Sequence, residues 1–208
     1  MDRRTFLWTV AMTTGQWGQA STAHEDGIVQ LPKPDRMGGI PLMLALNKRR
    51  SDWSFSADDL DVQTLSDLLW AALGVNRENG NRTAPTAWNR QEVSVYCAMR
   101  EGCFRYDADR HRLERITDMD LRAQTGRQGF VADAPLNLIY VADLSRASSE
   151  FYAGCDTGFV AQNVYLYCAS KGLVTVVRGW VDRERLAEAM GISEPSCVVL
   201  CQTVGYPA

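Results

Sequence analysis

Arg49, Arg50 and Ser51 stand in succession at the end of an apolar run that begins at Ile40. Two guanidinium groups and a hydroxyl supply the charge-assisted, multidentate hydrogen bonds that hold a phosphate. The same three residues equally suit the C-terminal end of a helix, where cations favour the dipole and remain solvated. A second polar group lies between Gly80 and Gln91, where Arg82, Thr83, Pro85, Thr86, Asn89 and Gln91 crowd together without periodicity. This is a loop built for contacts. Asn89 offers both a donor and an acceptor, fit to read the edge of a heterocycle or to stabilise its own loop. A third candidate is Arg178-Gly179, after the strand-like run Leu173 to Val177. Glycine there permits close backbone approach to a partner, or simply ends the strand in a turn. No general acid or nucleophile stands out. The dinucleotide, P-loop and serine-hydrolase signatures are absent. With His24 and His111 as the only histidines and no CxxC pair, no metal site is predicted.

Several elements are needed to position these residues. Ile40 to Lys48 is apolar enough for a buried helix. A clearer helix follows, with Asp61 as N-cap, Leu65, Leu68, Leu69, Ala72 and Leu73 at helical spacing, and Gly74 as its stop. Glu92 to Met99 and Cys103 to Tyr106 read as a hairpin around Arg100-Glu101-Gly102. Pro135 opens a strand through Leu138 to Val141. Phe151 to Lys171 is the longest helical segment, apolar around much of its circumference and ended by Gly172, so it is expected to be a central buried helix. Leu173 to Val177 is a strand, Asp182 caps a helix through Met190, and Cys197 to Val204 is a final strand. Irregular alternation of helices and strands with a local hairpin predicts an α+β fold rather than a doubly wound sheet.

The 208 residues, 46% hydrophobic with a net charge of -3, suit one domain and give no basic footprint for nucleic acid. Residues 1–23 read as an export signal: Arg3-Arg4 precedes a modest apolar run, Phe6 to Met12, and Asp2 to Leu7 resembles the twin-arginine signal. This predicts a periplasmic protein, the alternative being a retained N-terminus in a cytoplasmic one. The apolar run is too short to span a bilayer, so no stable membrane anchor is expected. Residues 24–39 read as an extended lead-in and 40–208 as the domain. The six cysteines are expected to be small buried hydrophobes; Cys197 and Cys201, four apart in a strand, lie roughly 13 Å apart and cannot pair.

Arg49-Arg50-Ser51 before Phe55, Leu68 to Ala72 running into Gly74 to Arg77, and Arg82 to Gln91 resemble successive blocks of nitroreductase-family flavoproteins, the superfamily that includes the SagB-type dehydrogenases. Ala134-Pro135, Asp156-Thr157-Gly158, Gln162 to Leu166, Gly172-Leu173 and Val204 to Pro207 continue the series in order and spacing, from about Gly39 to the C-terminus. The resemblance implies a nitroreductase-like fold, with a central, mostly antiparallel sheet flanked by helices, and a homodimer with FMN at the subunit interface. It also implies NADH or NADPH as donor, a small-molecule acceptor of nitroaromatic, quinone-like or other electron-poor kind, and a ping-pong cycle. Arg49, Arg50 and Ser51 would hold the FMN phosphate and ribityl chain. Pro85, Thr86, Asn89 and Gln91 would face the flavin pyrimidine edge, with Thr86 where relatives usually have serine. The Arg178 and Gly179 backbone would approach flavin N5 and O4. No catalytic side chain is implied, because the flavin carries the chemistry. Substrate choice would rest on Trp88 or on residues between Tyr106 and Leu121.

Two departures from the family pattern bear on function. Trp53 stands where many members have a cation near flavin N1 and O2. Ala208 directly follows Gly205-Tyr206-Pro207, where many relatives continue into a basic tail, which would enlarge the share of Arg49 and Ser51. Two other readings remain open: a flavin-binding or interaction protein that has lost turnover, and a specialised flavin enzyme such as an azoline oxidase.

Overall fold

The computed structural model describes residues 27–208, so the expected export signal and the first residues of the lead-in lie outside the described residues. Among the described residues seven strands form one sheet in the order β1-β4-β3-β2-β5-β7-β6, every neighbouring pair antiparallel. They are β1 Ile28–Gln30, β2 Val93–Met99, β3 Gly102–Asp107, β4 Arg112–Thr117, β5 Leu136–Asp143, β6 Val174–Arg178 and β7 Ser196–Gly205. Among the described residues four α-helices accompany them: α1 Leu42–Lys48, α2 Val62–Leu73, α3 Glu150–Lys171 and α4 Arg183–Ala189.

Alternation along the strands divides the core. On β5, Leu138 and Tyr140 face α2 and α3, while Ile139 and Val141 face α4 and the short helical turns at Arg122–Thr125 and Gly129–Val131. The sheet is therefore the middle of three layers, as an α+β fold requires. Helix α2 forms as its sequence dictates. Asp61 accepts the Thr64 amide at 2.9 Å, and Leu65, Leu68, Leu69 and Leu73 are buried against the sheet, each worth about 1.5–3 kcal/mol relative to exposure. Helix α3 is capped by Ser149 and closed by Gly172 in the left-handed region at φ 74°.

Two expectations are corrected. Helix α1 is not buried: only Ala45 is enclosed, and Met43 is 75% exposed, because the helix lies at the margin of α3 rather than over the sheet. Helix α3 buries one side only; Val160, Ala161, Val164 and Cys168 pack inward, whereas Phe151 and Phe159 are exposed. Within the lead-in, Ile28–Gln30 pairs with Arg112–Glu114.

His111 fastens the lead-in to the body. Its Nε2 lies 2.7 Å from Ser66 Oγ and 3.1 Å from the Pro32 carbonyl, its Nδ1 lies 2.8 Å from the Tyr106 hydroxyl, and Ser66 Oγ donates to the same Pro32 carbonyl at 2.6 Å. A neutral imidazole protonated on Nε2 satisfies all of these contacts, with Tyr106 donating to Nδ1. Burial accordingly lowers the His111 pKa from its ordinary value, only partly offset by the Pro32 carbonyl. The unfolded histidine titrates near 6.5, so this contribution is fully present above about pH 6.5 and is lost as pH falls through the lower folded value. Thermal midpoints measured from pH 7.5 to 5.5 should fall more steeply for the wild type than for His111→Gln; parallel curves would remove His111 from this role.

Candidate functional site

After α1 the chain turns along the free edge of β6. The Asp52 amide donates to the Thr175 carbonyl at 3.2 Å, and the strap continues as a partner of the C-terminus, with Ser56 N–H to Tyr206 O at 2.9 Å and Ala208 N–H to Ser54 O at 3.2 Å. Between strap, α3 and β6 lies a cavity of about 600 Å³, lined among others by Lys48, Arg49, Arg50, Tyr165, Ser170 and Thr175. That size lies within the ~300–1,000 Å³ typical of small-molecule sites. The two arginines differ. Arg50 is largely exposed and paired with Asp52 at 3.3 Å. Arg49 has no carboxylate partner among the described residues, and its guanidinium lies over the Tyr165 ring, 5.4 Å from the centroid. Ser51 Oγ lies 2.8 Å from the Tyr165 hydroxyl, which in turn accepts the Val177 amide at 3.0 Å. A cavity lined by one uncommitted guanidinium and the Tyr165 phenol, to which the neighbouring Ser51 hydroxyl is bonded, suits a phosphate in charge and donor set.

The loop from Pro85 to Gln91 is held as a separate unit. Trp88, Asn89 and Gln91 all have φ near +50°, a costly arrangement for side-chain-bearing residues that persists only where contacts enforce it. Here Thr86 Oγ1 accepts the Gln91 amide at 2.9 Å, Gln91 Nε2 donates to the Gly80 carbonyl and to Asn89 Oδ1, each at 3.2 Å, and Asn89 Nδ2 donates to Asn81 Oδ1 at 3.0 Å. The carboxylate of Asp156, buried on α3, accepts the Ala87 amide at 2.8 Å. Burial and this neighbouring Asp156 raise the pKa of Glu92, whose carboxyl oxygens have no hydrogen-bond partner among the described residues. Pro85 and Asn89 are exposed at the loop surface, and Trp88, 70% exposed, meets Tyr152 edge-on at 5.3 Å.

These two groups do not meet within the chain. Asp156 and Tyr165 are nine residues apart on α3; at about 100° and 1.5 Å per residue they point to opposite faces, about 14 Å apart along the axis. The residues from Tyr106 to Leu121 are also remote from the cavity, because β2, β5 and β7 stand between β3 and β6. Trp53 is 59% exposed and supplies no charge.

Arg178 ends β6. Its side chain is turned away from the strap and is 4% exposed, with Nε donating to Thr203 Oγ1 at 3.0 Å, one terminal nitrogen to the Thr125 carbonyl at 2.6 Å and the other to Asn137 Oδ1 at 2.8 Å. Burial lowers its pKa, and no carboxylate neutralises it among the described residues. The guanidinium braces the end of β6, whereas the next residue, Gly179, has no acceptor for its amide among the described residues. A backbone role is thus open to Gly179. Tyr165 and Asp156, which do the positioning, were both within the family-like blocks but went unassigned. The available signal was chemical: a phenol and a carboxylate on a helix read as buried each require a partner.

Residues 46–206 match the Nitroreductase family. The chain is 33% identical over 182 residues to a protein of Methanocaldococcus jannaschii named as a nitroreductase, covering 80% of this chain and 90% of the relative. Among solved structures, a protein from Ralstonia eutropha, also named as a nitroreductase, superposes with a TM-score of 0.84 at 43% identity over 90% of this chain and 92% of its own. A nitroreductase-type protein of Desulfovibrio desulfuricans solved in complex with FMN shares the fold, with a TM-score of 0.61 at 18% identity over 82% of this chain and 88% of its own.

Proposed function

The chain belongs to the nitroreductase family, and we propose that it is an FMN-dependent oxidoreductase using NADH or NADPH to reduce nitroaromatic, quinone-like or other electron-poor small molecules. The observation that carries this reading is the cavity in which Arg49, free of any carboxylate among the described residues, adjoins Tyr165, whose hydroxyl is paired with that of Ser51. Arg49 and Ser51 would hold the FMN phosphate, with Arg50 contributing only after release from Asp52. When bound, FMN supplies the hydride and electron chemistry, so the protein has only to hold, orient and enclose. Gly179 would offer its amide to the flavin, held in place because Arg178 braces the strand end beneath it.

Pro85, Thr86, Asn89 and Gln91 would serve the same flavin from a second copy of the chain. Two features support this reading. The loop and the cavity occupy opposite faces of α3, and the chain exposes an apolar surface where α1 meets α3. Leu42 adjoins Asn163 and Leu166, and Phe159, 47% exposed, lies one turn from Asn163. A homodimer covering this surface would build each site from two protomers.

A flavin-binding protein without turnover is the second reading, favoured by Trp53 in place of a cation. Anaerobic titration of the purified protein separates them: a bound flavin spectrum bleached by NADH or NADPH is expected. Bound flavin that neither nicotinamide reduces would favour the second reading, and a protein that takes up no FMN would sink both. Arg49→Ala should weaken FMN binding by about 10- to 150-fold with little change in thermal midpoint, and unchanged affinity would contradict the phosphate assignment.

We propose further that residues 1–23 are a twin-arginine signal directing the domain to the periplasm, on the strength of Arg3-Arg4 and the apolar run that follows. Replacing both arginines with lysine should leave the protein in the cytoplasm of fractionated cells; periplasmic recovery unchanged by the substitution would refute it.

A further inference from the structure

The polar atoms beside the cavity form a chain that begins at an obligate donor. The Val177 amide donates to the Tyr165 hydroxyl oxygen at 3.0 Å, and that hydroxyl meets Ser51 Oγ at 2.8 Å. The three residues come from β6, α3 and the strap, and Tyr165 is what joins them. A hydroxyl carries one proton and two acceptor positions. Because Val177 can only donate, either direction of the Tyr165 to Ser51 bond leaves one hydroxyl proton unused, and it has no acceptor among the described residues. Arg49 lies against the face of the same ring. One phenol thus sets the position of both the spare hydroxyl donor and the uncommitted cation.

We propose that Tyr165 is a positioning residue for the cofactor phosphate, presenting the Ser51 hydroxyl and the Arg49 guanidinium to it as one preorganised donor set. This rests on the reading of the cavity as an FMN phosphate site. Strand β6 is part of the same arrangement. The Tyr165 hydroxyl satisfies an amide on its free edge, two residues before Gly179, so the phosphate end and the flavin end of the site share one anchor. Tyr167, also on α3, is a natural control: its hydroxyl donates to the Thr64 carbonyl at 3.2 Å, away from the cavity.

The test is an FMN titration of the full chain by quenching of flavin fluorescence, for wild type, Tyr165→Phe, Ser51→Ala, the double variant and Tyr167→Phe. The 31P resonance of the bound phosphate is recorded for each. Tyr165→Phe and Ser51→Ala should each weaken FMN by about tenfold or more, and both should shift the 31P line. The double variant should bind only about twofold worse than the weaker single, since the two hydroxyls act as one unit. Tyr167→Phe should change neither quantity. Wild-type affinity and an unmoved 31P line in Tyr165→Phe would overturn the proposal, as would losses in the double variant that multiply independently. Should Tyr165→Phe not fold, Ser51→Ala, altered only in the strap, decides alone: unchanged affinity overturns the proposal. If the wild type binds FMN and Arg49→Ala loses it while Tyr165→Phe does not, this inference fails and the cofactor reading stands. If the wild type binds no FMN, both fail.

Discussion

Burial of one side of α3 against the sheet fixes everything else in the site. With Val160, Ala161, Val164 and Cys168 committed to the core, the helix cannot rotate, and Tyr165 and Asp156 are held on opposing faces. From one face the Tyr165 phenol gathers the strap and the free edge of β6; from the other the Asp156 carboxylate grips the loop that carries Asn89. Neither attachment is strong alone, a net 0.5–3 kcal/mol being typical. Their value lies in being fixed relative to a helix that is itself immobile, which is how preorganisation lowers the cost of binding.

Beneath β5, β6 and β7 a second constraint operates. Arg178, Asn137, Thr203 and Thr125 form a buried polar cluster, extended by Asn137 Nδ2 to the Val131 carbonyl at 2.8 Å. A guanidinium buried without a carboxylate is expensive, and such a group is tolerated where its hydrogen bonds are met and the geometry it enforces is needed. Here it ties the end of β6 to the helical turns below, next to Gly179, whose amide has no acceptor among the described residues.

Much of the scaffold was legible in the sequence because it is written in local rules. Helix α2 carries its cap, its periodicity and its stop within fourteen residues, and its bounds follow from them. The hairpin of β2 and β3, the strand after Pro135 and the length of α3 are equally local. Strand β4 and its partner β1 were not legible, since their pairing spans more than eighty residues and three residues of β1 show no period. Helix α1 was misjudged for a different reason: an apolar helix reads alike whether its face meets this chain or another. The inward packing of the Arg178 side chain is not legible locally either, since it depends on Thr125, Asn137 and Thr203, which are distant in sequence. The candidate site residues of the strap and the loop were identified by their order along the chain, whereas their separation across α3 is a property of the folded protein alone.

The central claim is that each site is shared, with Arg49 from one copy and Asn89 from the other. Complementation between two defective variants tests it most directly. Arg49→Ala and Asn89→Ala proteins, each poor in bound FMN alone, are mixed, dissociated and reassociated, and flavin retained after desalting is measured. Random pairing of shared sites restores FMN in about a quarter of them, because half the dimers are mixed and each mixed dimer regains one intact site. Retention no higher than the average of the two parents would contradict the shared site.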